Sequence, residues 1–532
     1  MRLSPEQMNP SLYQINTRVL LNRLRQSNAQ ATLANLDIDG GAKLAGFDWV
    51  WLLSVWQTST AARAISRKRS GWLQEFRDTL PDLQEEDIGG SGFAIADYKV
   101  SEELGGAKAL AAFRQKLQQR GQKLMLDFVP NHMGLGHHWL QEHPDYFILA
   151  DARDAEREPH NYFKTVLPDG KEIYAAHGRD PYFEGWPDTI QLDYSNPALQ
   201  EEMTKILLEI AGQCDGVRCD MAMLVEPEIF ERTWKNRGDS RGKLKGVFKP
   251  FWREAIKRVK AVYPDFCFMA EVYWDMEWQL QQAGFDYTYD KRLYDRLRNG
   301  DTAGVRAHLT ADLGYQSKMA RFLENHDEPR AAAVFGEEME KAAAVATFLT
   351  PGLRFFHEGQ FEGCCKRISP HLVRGPQENE NINLKEFYNN LLAALVEPTR
   401  TGTFTLLGTR PAWQDNWTYS SILGYLWQKI TPDQAEETGS AEKEPSKNDL
   451  SKPAKAPARG DCLLAVVNLS DHQSQCYLPM NIAGCNLILE DKLSNTVYER
   501  KGDTMSQEGL YLDMSPFQCH IFAVYGARSR VN

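Results

Sequence analysis

The sequence predicts an α/β fold: a (β/α)8 TIM barrel with a small inserted domain after strand 3 and a C-terminal antiparallel β-sandwich. Three observations predict it. Eight short β-rich runs alternate with longer helical patterns over about the first 390 residues, the order that builds a parallel sheet. One connection, between the third and fourth runs, is long enough to be a subdomain of its own. After about residue 400 the helical period disappears and short strands follow one another with turns between.

The eight runs are YQINTRVLL (13–21), FDWVWLLSVW (47–56), KLMLDFVPN (123–131), GVRCDMAM (216–223), CFMAEVY (267–273), DYTYDKRL (286–293), MARFLENHD (319–327) and LRFFHEG (353–359). Amphipathic helices separate them. In NPALQEEMTKILLEIAGQ, Leu199, Met203, Ile206 and Ile210 recur at helical spacing, with Asn196 as N-cap and Pro197 at the first helical position. In SEELGGAKALAAFRQKLQQRG, Leu110, Phe113 and Leu117 repeat the pattern and Gly121 stops it. The expected organisation is a barrel over 1–398, an inserted subdomain over 133–195, and a C-terminal β-domain over 399–532. Within the last, 431–460 has few large apolar residues and reads as a disordered surface loop.

A chain of 532 residues with a net charge of -11 has no electrostatic footprint for nucleic acid or anionic membranes. No run reaches the roughly 18 apolar residues of a membrane span, and the opening MRLSPEQMNPSLY has no apolar signal region. Nine cysteines without a CxxC pair read as reduced structural thiols, so a cytoplasmic location is expected.

Polar residues gather at the C-terminal ends of the strands, the rim where barrel enzymes carry their chemistry. The third run ends in DFVPNH with Asn131 and His132; the fourth carries Arg218 and Asp220; the fifth ends at Glu271; the seventh at His326 and Asp327. Two opposed carboxylates are what glycoside hydrolysis requires, one as nucleophile and one as proton donor. Residues 218 and 220 are two apart on a strand and share a face, so the arginine would hold Asp220 ionised. Glu271, flanked by Met269, Val272, Tyr273 and Trp274, has a setting that raises a carboxyl pKa and suits the acid. Cys219 should face the other way and is not read as a nucleophile.

In order and strand position, DFVPNH, GVRCD, AEVYW and ENHD resemble the four conserved regions of the α-amylase superfamily, the retaining enzymes of glycoside hydrolase family 13 type that act on α-linked glucose. QLDYSNP, with Asp193, resembles a further family segment, and GFAIADY (92–98) resembles the loop after strand two. The resemblance implies Asp220 as nucleophile, Glu271 as general acid/base and Asp327 as the group that grips sugar hydroxyls. It implies His132 and His326 as hydrogen-bond donors to the sugar, Arg218 as the residue positioning Asp220, and Phe93 as the stacking aromatic. Arg374 is a further candidate for substrate contact. Asn131 and Asp193 match positions that hold a structural calcium in some members; no cofactor is otherwise required. Where many members have Lys-His after the nucleophile, this chain has Met223 and Leu224.

The expected function is thus a retaining α-glycosidase on α-linked glucose oligo- or polysaccharides. The alternative is an α-glucosyl or glucan transferase, or a phosphorylase-like enzyme, using a sugar, polyol or phosphate acceptor. A third reading is a non-catalytic carbohydrate-binding protein, against which stands the presence of all three carboxylates.

Overall fold

Eight parallel strands close into a barrel in the computed structural model of the chain, which describes residues 9–36, 44–234, 249–396, 398–430, 457–480 and 486–527. They are β1 (Ser11–Asn16), β2 (Trp49–Leu53), β3 (Lys123–Phe128), β4 (Gly216–Cys219), β5 (Cys267–Ala270), β6 (Tyr287–Tyr289), β7 (Met319–Arg321) and β8 (Leu353–His357). Each pairs in parallel with its sequence neighbours, and β8 closes on β1. Most strand residues are buried, because helices cover one face and barrel side chains fill the other.

The strands are shorter than the apolar runs suggest. The first run ends at Asn16, whose side chain accepts from the Val19 amide and starts the helix Thr17–Arg25. The fourth run ends at Cys219; beyond it Met221 turns left-handed (φ 40) into a 3-10 turn over Ala222–Val225. Helices Gly106–Gln118 and Pro197–Ala211 form where the periodicity places them, the second capped by Asn196 onto the Ala198 amide at 3.0 Å.

Two connections carry structure of their own. After β3, a three-stranded antiparallel sheet (Leu149–Ala150, Tyr162–Val166, Glu172–Ala176) is tied to the barrel by His132–Gly134 pairing with Thr189–Gln191. After β2, two helices (Thr60–Ser66, Ser70–Thr79) and a strand pair (Trp56–Thr58 with Ile95–Val100) form a second elaboration that the sequence pattern does not predict.

Downstream, a six-stranded antiparallel sheet is covered on one side by the two-stranded pair Ser474–Leu478 and Leu510–Met514. Its other side lies on the barrel helix Glu337–Phe348, where Trp427 Nε1 donates to the Leu349 carbonyl at 2.8 Å. The expected disordered loop falls mostly at 431–456, outside the described residues. Among the described residues no helix is long and apolar enough to cross a membrane.

Candidate active site

Arg218 on β4 is fully buried and points into the mouth of the barrel. Strand alternation puts Val217 and Cys219 on the opposite face. Its Nη1 donates to Asp220 Oδ1 at 2.5 Å, its Nη2 lies 2.7 Å from Glu271 Oε2, and Asp327 Oδ2 is 3.9 Å from the same nitrogen. Nε donates to the Tyr289 hydroxyl at 3.3 Å. The guanidinium lies among the rings of Phe93, Trp51 and Tyr289, at 5.4, 5.5 and 5.7 Å from their centres. One cation therefore gathers three carboxylates in a largely aromatic, low-dielectric setting, where an arginine interacts far more strongly than in water.

Backbone pairing sets these side chains. The Asp220 amide donates to the Phe128 carbonyl at 2.8 Å, and the Glu271 amide to the Cys219 carbonyl at 3.0 Å, so the ladder runs one residue past each strand end. The left-handed turn at Met221 then brings its amide 2.7 Å from Glu271 Oε2, while the Tyr273 hydroxyl donates to Oε1 at 2.8 Å.

The carboxylates differ in their proton affinity. Glu271 is 3% exposed, and its pKa is pushed up to about 7: burial is the main cause, Asp220 and Asp327 add to it, and Arg218 opposes it. Asp327 moves the other way, since His326 and Arg218 outweigh the loss of solvent and hold it below the usual range. Its side chain remains 42% exposed, open to the cleft, with Oδ2 3.0 Å from His326 Nε2. His132 is buried and its pKa is lowered to about 4 by burial, which keeps the ring neutral. Phe93 stacks on His326 with centres 5.3 Å apart.

The structure thus brings together Asp220, Glu271, Asp327, Arg218, His326 and Phe93, with His132 beside them. It adds Trp51 and Tyr289, which the sequence reading did not single out, and gives Tyr273, read only as part of the setting of Glu271, a hydrogen bond to that carboxyl. Trp51 lies mid-strand on β2 and Tyr289 ends β6, so strand alternation was the available signal. Met223 and Leu224 are buried in the 3-10 turn and offer no hydrogen-bonding side chain.

Arg374 stands elsewhere. Its guanidinium forks onto Asp87, with both bonds at 2.7 Å, and also reaches Asp82 at 3.1 Å. That latches the connection after β8 onto the one after β2, next to the bridge between Ile88 and Leu372. The substrate contact expected of Arg374 is therefore replaced by a loop clasp. It borders a cavity of about 1010 Å3 beside β1 and β8, whose lining includes none of the three carboxylates.

Asn131 and Asp193 do not fit a calcium ion. The Asn131 carbonyl, its Oδ1 and the Leu192 carbonyl all accept from Gln191 Nε2, at 2.9, 3.0 and 3.0 Å. Asp193 Oδ1 accepts from the Ser195 hydroxyl at 2.6 Å and from its amide at 3.1 Å. The Asn131 oxygens are already gathered around a neutral amide, and Asp193 Oδ1 is taken by Ser195.

A family model described as "Alpha amylase, catalytic domain" matches residues 45–401. Alpha-amylase 3 of Dictyoglomus thermophilum is 24% identical over 309 residues, covering 54% of this chain and 56% of that protein. Alpha-amylase MalA of Haloarcula japonica is 24% identical over 291 residues, covering 53% of this chain and 38% of that protein. The trehalose synthase/amylase TreS of Mycobacterium tuberculosis is 28% identical over 174 residues, 30% of this chain and 27% of that one. The chain thus matches about half or less of the length of these relatives. In fold it is similar to the maltogenic alpha-amylase AmyB of Thermotoga neapolitana (TM-score 0.63, 16% identity, 98% of this chain and 100% of that one). It is likewise similar to the alpha-amylase of Geobacillus thermoleovorans solved with acarbose (TM-score 0.60, 16% identity, all of both chains).

Proposed function

The chain belongs to the α-amylase family by its catalytic domain, and from that premise we propose that it is a retaining α-glycosidase acting on α-linked glucose oligo- or polysaccharides. The observation that carries the reading is the sharing of one buried guanidinium by Asp220, Glu271 and Asp327. In the first step the Asp220 carboxylate attacks the anomeric carbon. The bond to the departing oxygen breaks, and the Glu271 proton goes to that oxygen. A glucosyl ester on Asp220 results. In the second step the Glu271 carboxylate takes a proton from water as its oxygen attacks the same carbon, and the Asp220 carboxylate is released.

The other groups have roles that suit their surroundings. Arg218 donates to Asp220 and aims it. Asp327, still open to the cleft, holds sugar hydroxyls as charge develops on the ring. His132, kept neutral by burial, and His326 donate to the same sugar, and Phe93 covers its face. In this reading the barrel within 1–398 carries the chemistry, the insertion 133–195 borders the cleft, and 399–532 braces the barrel. The eight described cysteines are free thiols, which supports a cytoplasmic setting. The partner is an α-glucan or small α-glucoside, with no nucleic acid or membrane.

A second reading, transfer to a sugar, polyol or phosphate acceptor, is favoured by one observation. Met223 and Leu224 make the turn after the nucleophile apolar, so the leaving-group side is not built like that of the many family members with Lys-His there.

One experiment separates the readings: incubation with maltooligosaccharides, trehalose and sucrose, with and without phosphate, followed by proton NMR. The expected first-formed product is the α-anomer of glucose or a maltooligosaccharide. New glucosides or a glucosyl phosphate would select transfer. A β-anomer formed first would overturn the two-step route.

A further inference from the structure

Opposite the acid-bearing strand, a chain of hydrogen-bonding groups runs under Asp327. The β1–β8 register places Gln14 directly against His357, and both side chains are buried. His357 Nδ1 lies 2.8 Å from Gln14 Oε1, and Gln14 Nε2 lies 2.9 Å from His326 Nδ1. His326 Nε2 in turn lies 3.0 Å from Asp327 Oδ2.

We propose that Gln14, oriented by His357, is a positioning residue that holds His326 as its Nε2–H tautomer, so that this histidine meets the sugar and Asp327 as a donor. The proposal rests on the roles given above to His326 and Asp327. The reasoning is one of donor and acceptor matching. The Asp327 carboxylate can only accept, so the nearby Nε2 has to carry a hydrogen. A neutral ring then presents a lone pair at Nδ1, which needs a donor, and the carboxamide supplies one through Nε2. The amide oxygen is left facing His357, which has to donate from Nδ1.

Two alternatives create a clash. With the amide turned over and a neutral ring, Nδ1–H would be the donor, and Nε2 would aim a lone pair at the Asp327 carboxylate. With a charged His326 and the amide as placed, Nδ1–H would point at the amide –NH2. A third arrangement, a charged ring donating from Nδ1 to a turned amide whose –NH2 meets a lone pair on His357, has no clash, and a hydrogen on Nδ1 would reveal it. His357 is itself kept neutral, because burial and the Arg330 charge lower its pKa, and its amide is tied to Gln360 Oε1 at 3.2 Å. His326 Nε2 is buried, and Asp327 Oδ2 at 3.0 Å lies off its N–H direction, which leaves that hydrogen open to a ligand hydroxyl as well.

The test uses the full chain with 15N-labelled histidine, the His326 ring signals being identified by their loss in His326→Gln. In the neutral wild-type ring Nε2 should be of the protonated, pyrrole type and Nδ1 of the unprotonated, pyridine type. In Gln14→Glu the carboxylate should draw a hydrogen onto Nδ1, and in Gln14→Met the two tautomers should mix. Both variants should lose roughly 10- to 100-fold in kcat with a smaller change in KM, the range seen when the partner orienting an imidazole is removed. His357→Asn, which keeps a donor for Gln14 Oε1, should retain more activity than His357→Phe. A protonated Nδ1 in the wild-type ring overturns the proposal, as does an unchanged tautomer in Gln14→Met. The spectra require no turnover. An inactive protein with the expected tautomer would count against the glycosidase reading alone, and an active one with the wrong tautomer against Gln14 alone.

Discussion

Arg218 and Arg321 are two of the three buried arginines on the barrel strands, and their surroundings differ in one respect. Arg321 on β7 faces a single carboxylate: Nη1 donates to Asp290 at 2.6 Å, Nε donates to the Pro351 carbonyl at 2.8 Å, and Nη2 is held by Gln316. Asp290 also receives His308 at 3.0 Å, and Arg321 and His308 outweigh its burial to keep its pKa low. Arg218 on β4 faces three carboxylates, and its Nη2 makes no well-directed hydrogen bond. A matched pair can stay ionised on both sides. An oversubscribed cation cannot neutralise every neighbour, so one acid keeps its proton, and the proton settles on Glu271, whose pKa stands near 7. Surplus negative charge around one cation thus separates a site poised for proton transfer from an ion pair that holds the barrel together.

The strongest way to break this comparison is to remove one acid from each cluster. Asp220→Asn should lower kcat by at least about 10⁴-fold, as loss of a nucleophile does, while the melting midpoint stays close to that of the wild type. Asp290→Asn should do the reverse. Breaking a buried pair leaves Arg321 uncompensated and costs about 3–5 kcal/mol, while turnover per folded molecule stays near the wild-type value. Calorimetry and steady-state kinetics on the two variants decide it. A stable but inactive Asp290→Asn protein would erase the distinction.

Glu271 and Asp290 should also respond to pH with opposite signs. Glu271 has a folded pKa above its unfolded value, so its contribution to stability is present at low pH and lost as pH rises through about 7. The same loss of the proton removes the acid, so kcat/KM should fall on the alkaline side near that value. Asp290 has a depressed pKa. Its contribution is present above the ordinary carboxyl value, about 3.9, and is lost as the pH falls below it. Glu271→Gln should lose roughly 10²- to 10⁴-fold in kcat and, with it, the alkaline limb of the profile. A pH profile of kcat/KM for both proteins checks this, and a limb that survives in Glu271→Gln belongs to another group.

The sequence made the barrel legible because eight apolar runs had the right length and were punctuated by capped helices such as Pro197–Ala211. It made the carboxylate cluster legible because Arg218, Asp220, Glu271 and Asp327 stand at strand ends, where backbone pairing fixes direction. What it hid depended on contacts between distant segments. Arg374 looked free to meet substrate because nothing local marks Asp87, 287 residues away, as its partner. Gln14 is an ordinary polar residue in an apolar run until β1 is paired with β8. The strand ends were overestimated for a related reason: the rim turns, such as Ala222–Val225, are as apolar as the strands they follow.

The smallest expected effect concerns Gln191, where an amide –NH2 stands among three oxygens. It ties the end of β3 to the insertion through the pairing of His132–Gly134 with Thr189–Gln191. A second link follows, because Asn131 Nδ2 lies 3.3 Å from His132 Nδ1, so the same amide helps to fix a ring at the site. If these oxygens are satisfied by a neutral donor, the wild-type melting midpoint should not change with a chelator or with added calcium. Gln191→Ala should cost about 1–3 kcal/mol, the penalty for leaving buried acceptors unpaired. Gln191→Glu should be more informative, since it replaces the donor by an anion facing three oxygens. That variant should be destabilised without metal and regain stability in millimolar calcium, a response that differential scanning fluorimetry reads directly. A wild-type protein that melts earlier in chelator would mean that a cation, and not the Gln191 amide, joins the insertion to the barrel.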